Sequence, residues 1–218
     1  MKVGVFAGTL VDTKMGQDIL DDLGYETLFY PMAQNPYEQT KLQYYSKEKL
    51  EEIFMSKALE GKSQGMEKIF IYCNSLSTVI DYEKISKKIG LDIITPLETY
   101  KNLDKDIKSL AIFAANGISA FNIDKMIRET REDISTISMG NLSVVASIEE
   151  EKSPEKIIED LNIKGLLAYF ENIKDERYRV DAILLGCTHF SYLRNRLKKL
   201  SKIKIIDPTE DMVRRLGK

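Results

Sequence analysis

The chain has 218 residues, enough for one large domain or two small ones with buried cores. Hydrophobic residues make up 43% and charged residues 30%, with 32 Lys and Arg against 34 Asp and Glu, a net charge of -2. That balance argues against a nucleic-acid partner, which calls for a basic surplus or stripe. No apolar run reaches membrane-spanning length, so neither a transmembrane helix nor a signal peptide is expected, and a cytoplasmic location is the default.

In chain order, residues 2–7 read as a buried strand that runs into a loop from Gly8 to Gly16. That loop lacks Gly-Lys-Ser/Thr and is no phosphate cradle. Residues 15–23 look helical, Tyr25–Tyr30 is strand-like, and Pro31 to Pro36 forms a polar loop. The segment 38–63 has helical spacing, with Leu50, Ile53, Phe54 and Leu59 as its inner stripe. A short apolar strand at 68–72 precedes the loop Cys73–Thr78, and a helix at 79–89 follows.

The pattern then restarts. Ile93–Thr95 is strand-like, and Ser109–Ala114 is a strand ending in Ala115-Asn116-Gly117-Ile118-Ser119, before a helix at 120–130. Thr136–Ser138 and Ser143–Ala146 read as short extended pieces. A helix at 153–173 starts on Ser153 as N-cap with Pro154 at its first position. Ala182–Leu185 is a strand followed by Gly186-Cys187-Thr188-His189. A basic helix at 191–200, a strand at 204–206 and a helix at 209–216 complete the pass. The basic run Arg194–Lys199 is read as a solvated helix face. Strands alternating with helices imply α/β architecture with parallel sheets, whose ligands lie at the carboxyl ends of the strands.

Two cysteines far apart in sequence make no disulfide framework, and in a reducing compartment they are thiols. The single histidine, His189, excludes metal sites that need several imidazoles; a Cys/Cys/His site with one carboxylate stays open. Each cysteine directly follows an apolar strand and precedes small polar residues, Asn74-Ser75 in one case and Thr188-His189 in the other. Racemisation needs a base on one face of a carbon and an acid on the other, with the roles reversed for the other enantiomer. A thiol of ordinary pKa about 8.5 can serve either way. The competing reading is that buried cysteines are small hydrophobes; two at matching strand ends, one beside the only histidine, outweigh it.

At these residues the chain resembles the aspartate/glutamate racemase superfamily, glutamate racemase in particular. The family carries a Cys-Asn-Thr type loop in its first half and Gly-Cys-Thr-His in its second; here stand Cys73-Asn74-Ser75 and Gly186-Cys187-Thr188-His189. Asn35-Pro36-Tyr37 looks like the family's Pro-Tyr-Gly loop, Ala114-Ala115-Asn116-Gly117 resembles a loop of its second domain, and Ser143–Glu150 is similar to a segment ending in an acidic residue, which points to Glu149. Ile206-Asp207-Pro208-Thr209-Glu210 resembles the family's last strand and turn.

The resemblance implies two similar α/β lobes, each a mostly parallel sheet flanked by helices, with the active site in the cleft between them. The expected division is 1–95 with 206–218 against 96–205. It implies Cys73 and Cys187 as the acid/base pair, with His189 supporting Cys187 and Glu149 behind it. Substrate contacts would come from Gly8, Thr9, Pro36, Tyr37, Asn74, Ser75, Asn116 and Thr188. No metal and no cofactor are implied, the partner is a small acidic amino acid or related carboxylate, and a homodimer is expected. One departure stands out: the family's Asp-Ser-Gly after the first strand is Ala7-Gly8-Thr9 here. Thr9 can restore the hydroxyl, and Asp12 can restore the carboxylate if the loop folds back. That departure keeps two alternatives open: a relative acting on another small dicarboxylate or a hydantoin, and a small-ligand-binding module without turnover.

Overall fold

A computed structural model describes residues 1–42 and 44–217, without the side chains of Pro36 and Thr40. In chain order the elements are β1 (Lys2–Ala7), α1 (Leu10–Asp21), β2 (Glu26–Pro31), α2 (Pro36–Leu42), α3 (Lys47–Ser63), β3 (Lys68–Tyr72), α4 (Asn74–Val79), α5 (Tyr82–Ile89), β4 (Asp92–Ile94) and α6 (Leu97–Lys101). There follow β5 (Ser109–Ala114), α7 (Gly117–Thr130), β6 (Ser135–Gly140), α8 (Leu142–Glu149), α9 (Pro154–Asp160), α10 (Ile163–Glu171), β7 (Ala182–Gly186), α11 (Arg194–Leu200), β8 (Lys204–Ile206) and α12 (Thr209–Leu216). Short 3-10 turns cover Glu176–Tyr178 and Thr188–Leu193.

Two compact units result: Met1–Glu98 with the chain from Thr209 on, and Thr99–Pro208. Each holds a four-stranded parallel sheet flanked by helices. The strand orders are β2-β1-β3-β4 and β6-β5-β7-β8, one topology used twice. The two central strands of each sheet are almost wholly buried, because helices cover both faces of a parallel sheet. That is why Ile69–Tyr72 and Ile183–Leu185 read as unbroken apolar runs rather than alternating ones.

In the first unit the core gathers around Phe6, whose ring lies 4.8 Å from both Tyr30 and Phe54. In the second, Phe113 from β5 meets Phe190 from the turn after Cys187 at 4.5 Å.

Several boundaries depart from the sequence expectations, each for a local reason. Helix α1 starts at Leu10 rather than 15, because Thr9 caps it: Thr9 Oγ1 accepts from Asp12 N at 3.2 Å. The expected 38–63 helix is two helices, with Ser46 capping the second. Its inner stripe includes Leu50 and Phe54 but then Ala58 and Gly61, while Leu59 is 51% exposed. The expected 153–173 helix breaks at Asn162, which takes a left-handed conformation (φ 49°) and caps α10. The segment 143–146 is not extended; it lies inside α8, capped by Asn141, whose side chain accepts from Val144 N.

One glycine in this scaffold is fixed by close approach. A Cβ on Gly140 would stand 2.1 Å from the carbonyl carbon of Asn116 and 2.5 Å from the amide nitrogen of Gly117, backbone atoms with no room to move aside. Gly140→Ala is therefore expected to cost about 3 kcal/mol, seen as a lower urea midpoint of unfolding. An unchanged midpoint would mean that the end of β6 and the start of α7 separate freely.

Candidate functional site

In each sheet the chain moves outward one way from the first strand to the second, and the other way to the third and fourth. The order therefore reverses between β1 and β3, and again between β5 and β7. In open α/β sheets a ligand crevice forms outside the carboxyl ends of the strands at such a reversal. The loops at the first reversal are Gly8-Thr9 after β1 and Cys73 after β3. At the second they are Ala115-Asn116 after β5 and Cys187 after β7. Both cysteines thus occupy the equivalent place in two copies of one topology, buried and in extended backbone just before a helical turn.

In the second unit Cys187, His189 and Glu149 stand in one chain of contacts. Cys187 Sγ lies 3.7 Å from His189 Nδ1, within hydrogen-bond reach for sulfur. On the far side of the ring, His189 Nε2 lies 2.7 Å from Glu149 Oε1. Glu149 is the last residue of α8, and the helix end places its carboxylate there. A carboxylate on Nε2 assigns the ring proton to that nitrogen and leaves the Nδ1 lone pair facing the thiol. The thiol proton can then pass to the imidazole, giving a thiolate beside an imidazolium that Glu149 neutralises. His189 is 1% exposed and Cys187 7%, so the contact between them is shielded from bulk water.

Thr188, between them, is buried. Asn116 is half-buried and caps α7 through its side-chain oxygen, which accepts from Ser119 N at 2.9 Å. Gly140 lets β6 end against that loop.

The first unit builds its half differently. Cys73 is 4% exposed, and its carbonyl accepts from Ser77 Oγ at 2.7 Å. Asn74 is buried and Ser75 half-buried at the start of α4. Gly8 N donates to Asp12 Oδ2 at 3.3 Å, so the first turn of α1 folds back over the end of β1. Thr9 is fully buried as the cap of α1, with its hydroxyl turned to Asp12 N. Tyr37 is 70% exposed on α2 with Lys41 Nζ 4.4 Å from its ring centroid. Pro36 opens that helix, and its side chain lies outside the described residues.

Two features of this half were not placed by the sequence, which raised Asp12 only as a substitute carboxylate should the loop fold back. Asp12 is 1% exposed in the first turn of α1, although it falls within the stretch Gly8 to Gly16 that reads as a loop. Gln39 packs its carboxamide against Gly8, where a glycine Cβ would meet it at 1.8 Å. The signal for Asp12 was present, because a Thr three residues ahead of an Asp is a helix start. Among the described residues, no group of three or more His, Cys, Asp and Glu side chains is placed to hold a metal, and no helix is long and apolar enough to cross a membrane.

No family model matches the chain. A glutamate racemase of Aliivibrio fischeri is 25% identical over 150 residues, 68% of this chain and 55% of that protein. The chain therefore spans about half the length of that curated relative. Among solved structures, the glutamate racemase of Francisella tularensis in complex with D-glutamate superposes with a TM-score of 0.74 at 20% identity, over 99% of this chain and 79% of that one. An aspartate racemase homologue of Pyrococcus horikoshii gives 0.62 at 16% identity, over 99% of this chain and 97% of that one. The fold is thus the two-unit α/β fold of these racemases.

Proposed function

We propose that the chain is a cofactor-independent racemase of an acidic amino acid, glutamate first, with Cys73 and Cys187 as its two acid/base residues. The observation that carries this reading is the relay Cys187–His189–Glu149 at a strand reversal. It rests on a fold shared with glutamate racemases, together with a second thiol at the equivalent reversal of the other sheet. The chemistry is a proton exchange at the α-carbon. For one enantiomer Cys187, as thiolate, takes the α-proton while Cys73 delivers its thiol proton to the opposite face; for the other the roles reverse. Asn74, Ser75, Thr188 and Asn116, at the two reversals, would hold the carboxylates and ammonium. Gly8, Thr9, Pro36 and Tyr37 would complete the first unit's share. A homodimer in a cytoplasmic setting fits this role.

The test is proton exchange in deuterated water with L-Glu, D-Glu, L-Asp and D-Asp, followed by NMR and by chiral separation. Deuterium should enter the α-position as the two enantiomers of glutamate interconvert. Interconversion of aspartate alone would move the substrate assignment, and the lack of exchange on all four would sink the racemase reading.

A second reading keeps the fold and the thiols but takes another small dicarboxylate or a hydantoin, or binds such a ligand without turnover. It is favoured by Ala7-Gly8-Thr9 where glutamate racemases carry Asp-Ser-Gly. Exchange on a dicarboxylate other than the four amino acids is the result that would select it.

A further inference from the structure

We propose that Gln39 is a substrate-binding residue of the first unit, its carboxamide donating to a substrate carboxylate from the place that a side chain at position 8 would take. This rests on the reading of the chain as one that binds an acidic amino acid.

Gly8 follows β1 at the first strand reversal and is buried. Its φ lies outside the left-handed region, so the backbone there accepts any residue. What excludes a side chain is a neighbour. A Cβ on Gly8 would stand 1.8 Å from Gln39 Nε2 and 2.7 Å from Gln39 Cδ. The carboxamide therefore fills the volume into which residue 8 would project. Thr9, the next residue, is fully buried as a helix cap, its Oγ1 accepting from Asp12 N at 3.2 Å. A polar group has thus been carried to the end of β1 by a different element of the chain.

The path that carries it is well defined. Beyond Pro31 the chain keeps running beside the end of β1. Met32 N donates to Ala7 O at 2.9 Å, and Ala33 N donates to Gly8 O at 3.0 Å. Helix α2 starts soon after. Glu38 N donates to Asn35 Oδ1, and Gln34 N donates to Glu38 Oε2, each at 2.9 Å. These two bonds fix the direction of its first turn, in the manner of a helix cap. Gln39 N donates to Asn35 O at 3.0 Å, which sets the base of the side chain that reaches Gly8.

The amide is available for a ligand. Gln39 is half-buried, and among the described residues its carboxamide has no hydrogen-bond partner. The nearby charged side chains are engaged elsewhere: Glu38 with Gln34 N, Lys41 over the Tyr37 ring, and Lys14 with Asp18. A carboxylate arriving at this reversal meets two amide N–H donors. Hydrogen bonds to an ionised acceptor are about twice as strong as neutral ones. The contact is present before and during proton exchange, so it acts on affinity more than on turnover.

The test is calorimetric binding of D-glutamate and L-glutamate to Cys187→Ser protein, in which no turnover intrudes. Gln39→Ala and Gln39→Met should each raise Kd about tenfold. In protein with both thiols, KM should rise in parallel while kcat changes little. The methionine fills the same space without an N–H, so a Gln39→Met protein with the parent Kd would show a filler and overturn the proposal. Gly8→Ser added to Gln39→Ala should recover part of the lost affinity, because the hydroxyl enters the vacated place. A double variant no tighter than Gln39→Ala alone overturns the exchange of one position for the other. Thermal unfolding of each variant serves as control. A parent that binds and racemises glutamate beside an unchanged Gln39→Ala protein sinks this inference alone. Weakened binding beside a parent with both thiols that does not racemise sinks the racemase reading and leaves Gln39 in place. A parent that binds neither enantiomer overturns both.

Discussion

Cys187→Ala is expected to lower the interconversion of glutamate enantiomers by about a thousandfold in both directions, within the 10²–10⁴ range of a positioned proton-transfer group. The loss is symmetric because, in the proposed mechanism, this sulfur serves as base in one direction and as acid in the other. Overall stability should change little, since the sulfur is a small group at a strand end that takes no part in capping the turn after it. The measurement is a chiral assay from each pure enantiomer, with thermal unfolding as control. Retention of more than a tenth of the parent rate would remove the two-thiol mechanism.

The second large effect concerns the partner of a partner. Glu149→Gln should lower kcat by about 10–100-fold with little change in KM. The amide still fills the end of α8, but it no longer carries the charge that neutralises an imidazolium at His189. His189→Gln should cost at least as much, because it removes the acceptor 3.7 Å from the thiol. Since both act through one chain of hydrogen bonds, the double variant should lose little beyond His189→Gln alone. Full additivity in that cycle would show that Glu149 acts on something other than the ring.

The strands and the two thiols were legible because their signals are local. A buried parallel strand is a continuous apolar run, and Lys68–Tyr72 and Ala182–Gly186 announce themselves as such. Cys73 and Cys187 then inherit their importance from position alone. What failed was the region around Val144-Val145, where two β-branched residues suggested extension. The cap from Asn141 and burial of Val144, Val145 and Ile148 make it a helix.

That helix is what brings Glu149 to His189, forty residues away in sequence. The family resemblance alone supplied Glu149 beforehand, because no spacing rule spans such a distance. The stripe expected through Leu59 failed for a related reason. In α3 the close packing of Gly61 against Met66 and Tyr30 turns the buried face toward small residues, which a search for large apolar side chains passes over.

The terminal helix α12 belongs to the first unit, although the whole of the second is threaded before it. Its Met212 and Leu216 are fully buried in the first unit's core. During synthesis, therefore, the segment that forms the second sheet has left the ribosome while the first sheet still lacks one of its covering helices. The unit begun first is closed last. Any stall before Thr209 leaves the apolar surface around Cys73 open to the cell, where chaperones or proteases would meet it. The unit holding Cys187 has by then received every residue of its own core.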